Sequence, residues 1–301
     1  MKIPLRQLRY VFGEAVLDLL EIIMTRMPLW LMRLGIDALF LILFPAFRLT
    51  AAYRKTVIKN ITIALGKDYS KREIRRIARR AVRNIFRMPA DIMFYGFPAN
   101  FDRTKRDVRI VGMEHLTRAL KKGKGVIGLG SHMTGFLVLT VRLANSEIPF
   151  VVPTKDPRNA MLKKKLRGWR DISNVRYIDV DSPDKGKGRI LASLKKNELV
   201  YLIADERKKR DGMLVPFFGK EALTAVGPAV LSLKTGAPIV PIYIAKEEKG
   251  FRIDIQPPLA GPDGDAKQPV MELTARANKS IEDYIRRYPD QWVWTQQRWR
   301  M

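Results

Sequence analysis

The chain has 301 residues, 47% of them hydrophobic, which is enough to bury a substantial core. It has no cysteine and two histidines, which excludes disulfides, thiol nucleophiles and cysteine zinc sites, and we expect no metal and no cofactor. The net charge of +26 predicts an acidic partner: nucleic acid, anionic lipid headgroups or an acidic carrier protein.

The N-terminal region, residues 10–47, is strongly apolar. Its first half carries one narrow polar stripe at helical spacing, and its second half, after Pro28, carries only Arg33 and Asp37. These two residues are four apart and able to pair on a helix. We therefore predict two helices in this region.

Lysine and arginine flank this apolar region on both sides, which argues against moving either flank across a membrane. We expect the two helices to lie in, or dip into, the cytoplasmic leaflet, and a buried core hairpin is the alternative. Residues 1–47 are thus predicted to form a membrane-associating unit, and residues 48–301 a separate domain.

The next segment, "KNITIALGKDYSKREIRRIARRAVRNIFRM", is predicted to form two helices separated at Gly66–Ser70. Ser70 is a candidate N-cap, and Glu73 three residues later completes the pattern of a capping box. The many arginines of the second helix are interpreted as a solvated or membrane-facing surface.

Beyond Asp107 the sequence alternates between apolar runs and helical stretches. The predicted strands are "VRIVG", "GVIGLG", "PFVVPT", "VRYIDV", "ELVYLIAD", "PIVPIYIA" and "FRIDIQPPL". Helices are predicted at 113–122, 134–146, 157–172, 186–196 and 226–236, with a closing helix and an aromatic tail. Continuous apolar strands separated by helices predict an α/β fold with a mixed, mostly parallel central sheet flanked by helices.

His132 directly follows the predicted strand "GVIGLG", where open α/β sheets place their sites. We interpret it as a candidate catalytic base, and the first amides of the following helix as candidate donors to an oxyanion. His115 lies on an ordinary amphipathic helix and is interpreted as structural. Ser131 lacks the glycines of a nucleophile elbow, because Leu129 and Met133 occupy their positions.

Two further segments carry candidate site residues. Arg170, and with it Arg167, ends a basic helix before a strand that returns towards the same sheet edge, so both are candidates to bind a phosphate or an oxyanion. Asp205 and Glu206 end another apolar strand and precede a basic loop that begins at Arg207. The apolar "VPFFG" that follows, with Pro216, Phe217 and Phe218, is predicted to be buried or to shape an apolar pocket.

Three of these stretches resemble one known family. "SHMTGF", "LIADERKKRDGMLVPFFGKEALTAVGPAVLSLKTGAPIVPIYI" and "YPDQWVWTQQRW" resemble the bacterial late acyltransferases of lipid A biosynthesis and the phosphatidylinositol mannoside acyltransferases, within the lysophospholipid acyltransferase superfamily. "RKTVIKNITIALG" and "RDISNVRYI" extend the resemblance from about Arg48 to Trp299. The resemblance implies a glycerolipid-acyltransferase-like α/β fold and an N-terminal hydrophobic membrane anchor.

The family carries a His-x4-Asp/Glu motif whose histidine deprotonates an acceptor hydroxyl and whose acid orients that histidine. Here Leu137 stands at the acid position, and no Asp or Glu lies between Glu114 and Glu147. Three interpretations remain open. Asp205 or Glu206 supplies the acid from another strand, His132 works unassisted, or the chain is a degenerate homologue that binds lipid without catalysis.

The resemblance also implies partners and a location. The donor would be acyl carrier protein or acyl-coenzyme A, and the acceptor a hydroxyl of a lipid or glycolipid, lipid A-type or phospholipid. Glu206, Arg207 and Arg167 would bind substrate, and Pro216, Phe217 and Phe218 would line the acyl channel. We expect the protein at the cytoplasmic face of the bacterial inner membrane, peripheral or monotopic, on anionic lipids. We expect no nucleic-acid partner, because the sequence lacks a recognisable nucleic-acid motif.

Overall fold

The structure is a computed structural model that describes residues 27–46, 48–157, 159–180, 183–208, 211–264 and 266–299. The polar stripe predicted within residues 10–25 lies outside these ranges, as do Lys209 and Arg210 of the basic loop.

Helices and strands alternate along most of the described chain. The helices are α1 Leu29–Ala46, α2 Arg48–Leu65, α3 Lys71–Gly96, α4 Phe101–Asp107, α5 Met113–Leu120, α6 Phe136–Ala144, α7 Ala160–Ile172, α8 Pro183–Lys195, α9 Gly227–Thr235 and α10 Pro269–Arg287. The strands are β1 Val108–Val111, β2 Val126–Gly130, β3 Phe150–Thr154, β4 Tyr177–Asp179, β5 Leu199–Ile203, β6 Gly212–Phe217, β7 Lys220–Ala225, β8 Ile239–Lys246 and β9 Phe251–Ile255.

Within the described ranges, seven strands form one sheet in the order β1-β9-β8-β2-β5-β3-β4. Strands β8, β2, β5, β3 and β4 run parallel, whereas β9 is antiparallel to β8 and β1 is parallel to β9. All residues of β2 are buried, as expected for a central strand covered by helices on both faces. The predicted α/β fold with a mixed, mostly parallel sheet is confirmed, and each predicted strand is present.

Neither helix α4 nor the hairpin that follows β5 was predicted from the sequence. Residues of the "VPFFG" region form an antiparallel hairpin, β6–β7, separate from the main sheet. Its turn residues Phe218 and Gly219 both have positive φ, 53° and 69°. A two-residue hairpin loop of this kind usually carries Asn or Asp at the first position. With phenylalanine there, the sequence lacks the signal from which a hairpin is predicted.

The break between α2 and α3 confirms the predicted capping box. The Ser70 hydroxyl accepts a hydrogen bond from the Glu73 amide at 3.3 Å, and the Glu73 carboxylate accepts one from the Ser70 amide at 2.8 Å. Two of the free amides at the start of α3 are satisfied in this way, so α3 begins at the next residue after Ser70.

Helix α1 packs along α3 through ion pairs, which corrects one expectation. The predicted pair between Arg33 and Asp37 does not form. Arg33 instead contacts the buried Asp91 of α3, and Asp37 accepts hydrogen bonds from both Arg83 and Arg87. Burial raises the pKa of Asp37, but the two guanidinium groups outweigh this effect and lower it. Oppositely charged groups on a neighbouring helix thus replace the local pair.

None of the helices in the described ranges has the length and apolar character needed to cross a membrane.

Candidate active site

Three acid or base residues lie in line across one edge of the sheet. His132 follows β2 by two residues, Asp205 follows β5 by two and Asp156 follows β3 by two. These strands are parallel neighbours, and their register puts the three residues at the same level. Because adjacent strands lie about 4.8 Å apart, the whole line spans roughly 10 Å.

His132 and Asp205 are bonded to each other twice. The imidazole Nδ1 lies 2.6 Å from Asp205 Oδ1, and the His132 backbone amide donates to Asp205 Oδ2 at 2.7 Å. Asp205 is completely buried, whereas the His132 side chain is 20% exposed. The carboxylate therefore fixes the orientation of the ring, and the opposite nitrogen, Nε2, faces outward.

Charge and burial act against each other in this pair. Burial lowers the pKa of His132, but the charge of Asp205 and its hydrogen bond outweigh burial and raise it. Burial raises the pKa of Asp205, but His132 and the hydrogen bond from Trp292 outweigh burial and lower it. Both directions favour an ionised Asp205 beside a ring that can accept a proton.

Trp292, which sequence reasoning missed, completes the support of Asp205. Its indole Nε1 donates to Asp205 Oδ2 at 2.6 Å, and its side chain is fully buried. The tail reaches this position because the Val293 amide donates to the His132 carbonyl and the Thr134 amide to the Gln291 carbonyl. The aromatic tail was noted in the sequence, but no local pattern indicates which tryptophan meets a carboxylate.

The three amides directly after β2 are already occupied. The His132 amide donates to Asp205, the Met133 amide to the Ser131 carbonyl and the Thr134 amide to the tail. Helix α6 begins only at Phe136. These three amides are therefore unavailable to an oxyanion. The predicted donors, the first amides of the following helix, lie further along the chain, from Phe136 onward, and their role stays a prediction.

The outward nitrogen of His132 has one acidic neighbour among the described residues. Glu206 Oε1 lies 3.5 Å from Nε2, and the Glu206 side chain is 63% exposed. The structure thus places both acids considered in the sequence beside the ring, Asp205 at Nδ1 and Glu206 at Nε2. Leu137, at the motif position, is the second residue of α6 and is half-buried.

Asp156, the third of these aligned residues, accepts hydrogen bonds from both candidate arginines. Arg170 Nη1 donates to Asp156 Oδ1 at 2.9 Å, and Arg167 Nε donates to Asp156 Oδ2 at 2.7 Å. Arg170 is largely buried, with its guanidinium 4.6 Å from the centre of the Tyr177 ring. Burial raises the pKa of Asp156, but the hydrogen bonds from Arg170 and Arg167 outweigh it and lower the pKa.

The residues predicted to line an acyl channel have a different environment. Phe217 and Phe218 are buried in an aromatic cluster with Trp292, Trp294 and Trp299, while Pro216 is exposed. In this structure the two phenylalanines pack the hairpin against the tail.

Arg207 and His115 lie away from the line of His132, Asp205 and Asp156. Arg207 forms a β-bridge with Thr224 of β7. At this residue the chain passes from the sheet edge that carries Asp205 to the β6–β7 hairpin. His115 lies on α5, which follows β1. Because β1 runs opposite to β2, His115 lies at the other edge of the sheet from His132. The interpretation of His115 as structural agrees with this position.

The sequence of this chain is similar to several characterised proteins. A phosphatidylinositol mannoside acyltransferase from Mycolicibacterium smegmatis is 25% identical over 218 residues, 72% of this chain and 68% of that protein. The lipid A biosynthesis palmitoleoyltransferase of Escherichia coli is 28% identical over 202 residues, 66% of this chain and 63% of that protein. The lipid A biosynthesis lauroyltransferase of Escherichia coli is 26% identical over 295 residues, 90% and 92% respectively.

Among solved structures, a 1-acyl-sn-glycerophosphate acyltransferase from Thermotoga maritima aligns over 78% of this chain and 96% of that chain. The TM-score is 0.37 and the identity 13%, too low to add to the assignment.

The family model of the bacterial lipid A biosynthesis acyltransferases matches residues 3–301, which confirms the resemblance found in the sequence. This chain therefore belongs to the bacterial lipid A biosynthesis acyltransferase family, a family of transferases.

Proposed function

We propose that this protein transfers a fatty acyl chain from an acyl thioester to a hydroxyl of a lipid or glycolipid, lipid A-type or phospholipid, with His132 as the general base. The observation that carries the proposal is the hydrogen-bonded series Trp292–Asp205–His132, which leaves Nε2 facing outward. This is the arrangement in which a buried acid holds an imidazole ready to accept a proton.

In the proposed step, His132 Nε2 takes the proton of the acceptor hydroxyl as its oxygen attacks the thioester carbonyl carbon. The carbon–sulfur bond then breaks, and the imidazolium returns the proton to the leaving thiolate. Asp205 stabilises the transient imidazolium and keeps the ring proton on Nδ1. Asp205 thereby takes the place of the missing motif acid at Leu137.

We assign Arg170 to the negative charge that develops on the thioester oxygen, or to a phosphate of either substrate, with Arg167 in support. Arg170 is bonded to Asp156, which follows the neighbouring strand at the same sheet edge, and a cation at that edge can stabilise such a charge. Glu206 and Arg207 remain proposed substrate-binding residues, as do Pro216, Phe217 and Phe218 after rearrangement of the hairpin.

The proposal extends to partners and location. Acyl carrier protein or acyl-coenzyme A is the donor, and the protein acts at the cytoplasmic face of the bacterial inner membrane as a peripheral or monotopic protein. The apolar N-terminal region with basic flanks supports this location. The proposed membrane-associating unit, residues 1–47, includes α1, whose ion pairs with α3 attach it to the α/β domain, residues 48–301.

The test of the function is lipid mass spectrometry of cells with and without the gene, and with the His132→Ala gene. We expect one lipid to lack an acyl chain in the deletion strain and in the variant strain, and to regain it with the native gene. The identity of that lipid would reveal both the acceptor and the acyl chain that is transferred. An unchanged lipid profile in all strains would contradict acyl transfer.

Trp292 provides a separate prediction. Trp292→Phe keeps most of the ring volume but removes the donor to Asp205, and a hydrogen bond to a charged group contributes about 1.5–3 kcal/mol. If that energy is lost from the transition state, kcat falls by about tenfold to a hundredfold. KM is expected to stay unchanged, because Trp292 touches no substrate in the proposed step.

Trp294→Phe is the matched control. Trp294 is equally buried and packs against Trp292 at 4.7 Å between ring centres, but its indole donates to the Pro289 carbonyl. We expect both variants to lower the melting temperature and only Trp292→Phe to lower kcat. Equal losses of kcat in the two variants would mean that Trp292 acts only through packing and not through its hydrogen bond to Asp205.

The choice of donor is tested by charge reversal on the exposed residues Lys164 and Lys208. If an acidic carrier protein docks here, Lys164→Glu with Lys208→Glu raises KM for acyl carrier protein severalfold and leaves KM for acyl-coenzyme A nearly unchanged. The difference should shrink as salt is added. Equal changes with both donors would assign these charges to another ligand.

A further inference from the structure

The tail carries a buried arginine that the proposed reaction step does not use. Arg298 is 0% exposed, although arginine is almost never fully buried unless it is paired with an acid. Its hydrogen bonds go to neutral oxygens: Nη1 donates to the Leu223 carbonyl at 2.8 Å and Nη2 to the Thr224 hydroxyl at 2.6 Å. Its Nε has no hydrogen-bond partner in the described ranges. A positive charge thus lies inside the protein with no carboxylate bonded to it there.

The position of this charge is fixed by the β6–β7 hairpin. The two bonds to Leu223 and Thr224 attach the guanidinium to strand β7. Its central carbon also lies 4.6 Å from the centre of the Phe217 ring in β6, and a cation over an aromatic face is attracted by the electrons of the ring. The hairpin therefore orients Arg298 from both of its strands.

Two short routes connect the guanidinium to Asp205. The Phe217 ring packs against Trp292 with 6.0 Å between ring centres, and the Trp292 indole donates to Asp205 at 2.6 Å. Thr224, on the second route, forms a β-bridge with Arg207, two residues beyond Asp205. Bridged residues lie about 5 Å apart and each residue of extended chain adds about 3.3 Å, so the two charges lie on the order of 10 Å apart.

Burial makes the attraction strong for this distance. Arg298, Phe217, Trp292 and Asp205 are all fully buried, so solvent and salt screen the two charges little. Burial lowers the pKa of Arg298 to about 10, still well above neutrality, and the charges of Asp205 and then Glu282 raise it. Because the attraction is mutual, the cation favours the ionised form of Asp205 in turn.

Two carboxylates and two phenols are the other acids near the His132–Asp205 pair. Glu206 is 63% exposed, and Glu282 of α10 accepts a hydrogen bond from the hairpin turn at 2.8 Å. Burial raises the pKa of Tyr201 and of Tyr243, so both phenols stay neutral. Glu206 attracts a proton to the imidazole, as the acid of the pair does. A base that must be neutral therefore needs an opposing cation.

The other cations of this region are open to solvent. Lys208 and Arg286 are exposed, and Arg207 is partly exposed. Solvent and salt screen such charges, so their effect on a buried pair is small. Among the described lysines and arginines, Arg298 alone is fully buried.

We infer that Arg298 is a positioning residue of the active site, whose buried charge keeps Asp205 ionised and opposes protonation of His132. The cation acts on the pair as a unit, because it repels a proton on either residue. More of the imidazole is then neutral and able to accept a proton from a hydroxyl. The inference rests on the proposed function, since only a base has to be neutral.

The test is the titration of His132 in the full chain labelled with ¹³C-histidine, followed by nuclear magnetic resonance. The chain has two histidines, so His115 gives the second signal and serves as the internal reference. Arg298→Gln removes the charge. At about 10 Å and an effective dielectric constant of about 20, this loss should move the midpoint of His132 up by about one pH unit. The rise of acyl transfer with pH should move up equally.

Arg298→Lys is the matched variant. Like Arg298→Gln it loses the planar fork that contacts Leu223 and Thr224, but it keeps the charge. Both variants should lower the melting temperature, and only the glutamine variant should move the midpoint. Arg298→Met, which can pack against Phe217, is a second neutral variant. Lys220→Gln removes an exposed charge from the same hairpin, and it should move the midpoint by less than about 0.3 of a pH unit because solvent screens that charge.

Three results would overturn the inference. An unchanged midpoint in the neutral variants would limit Arg298 to packing. Equal upward shifts with lysine and glutamine would mean that altered packing, and not charge, moved the midpoint. Failure of both neutral variants to fold would assign the charge to the stability of the hairpin. An inactive native protein would contradict the proposed function instead, and the two failures are distinguishable because the resonance measurement needs no acyl transfer.

Discussion

Replacement of His132 by alanine is expected to lower kcat by about 10²–10⁴-fold, the contribution of a general base. No other described side chain is held at the position of Nε2 to act as the base. Glu206 lies 3.5 Å away but is mostly exposed, and Asp205 is buried behind the ring. Acyl transfer from an acyl thioester to the lipid named by mass spectrometry provides the assay. Equal rates for the native protein and the variant would remove His132 from the mechanism.

Asp205→Asn should cause a loss of similar size, for a geometric reason. Two N–H groups, the His132 amide and the Trp292 indole, point at Oδ2, so the amide oxygen of asparagine must occupy that position. Its NH₂ group then faces Nδ1 and forces the ring proton onto Nε2. The base is held as the wrong tautomer, which costs about 10⁴-fold in a serine protease triad.

The pH profile separates this effect from simple unfolding. Asp205 raises the pKa of His132, and the base must be neutral, so activity of the native protein rises as pH increases through that raised pKa. Removal of the carboxylate charge lowers the pKa of His132. The residual activity of Asp205→Asn should therefore begin its rise at lower pH than that of the native protein. An unchanged profile would show that Asp205 does not act on His132.

Leu137→Glu provides the complementary comparison. It restores the family's acid position, but Nδ1 is already bonded to Asp205 at 2.6 Å. We therefore expect no increase in rate from this substitution, and some loss of stability if the new carboxylate is left without partners. A clear increase would mean that Asp205 orients His132 poorly and that the motif acid was the better partner.

The second large effect is expected at Arg170. Arg170→Ala should lower kcat/KM by about 10²–10³-fold, the usual cost of removing one group that stabilises a developing oxyanion. Arg170→Lys keeps the charge but loses the planar fork that Asp156 holds, so it should recover only part of the activity. The fall should lie in kcat if Arg170 meets the oxyanion, and in KM if it binds a phosphate.

Arg176 supplies the control for this prediction. It precedes β4 and pairs with Glu198 at 3.0 Å, but it is more exposed and contacts no residue of the line formed by His132, Asp205 and Asp156. The Arg176 side chain is 59% exposed, and surface substitutions usually change free energies by no more than about 0.5 kcal/mol, so Arg176→Ala should change kcat/KM by less than about twofold. A loss at Arg176 as large as that at Arg170 would indicate a general effect of positive charge.

The sequence by itself determined the fold class and selected both members of the proposed catalytic pair, His132 and Asp205. Each strand of the seven-stranded sheet could be predicted because an apolar run bounded by turn residues is a local signal. His132 could be selected because it directly follows such a run, and Asp205 because parallel strands end at the same edge of a sheet. The capping box at Ser70 and Glu73 is local in the same sense.

Only the tertiary structure decided how these pieces meet. Trp292 reaches Asp205 across 87 residues of chain, and Arg33 finds Asp91 across 58, so neither pairing leaves a trace in local spacing. Local spacing favoured Arg33 with Asp37, but Asp91 is buried and requires a cation, while Asp37 is paired with two arginines of α3. The three amides directly after β2 donate to Asp205, to the Ser131 carbonyl and to the tail, and two of these contacts join segments that are distant in the chain. Hydrogen bonds between distant segments depend on the packed sheet, and sequence periodicity records only neighbours along the chain.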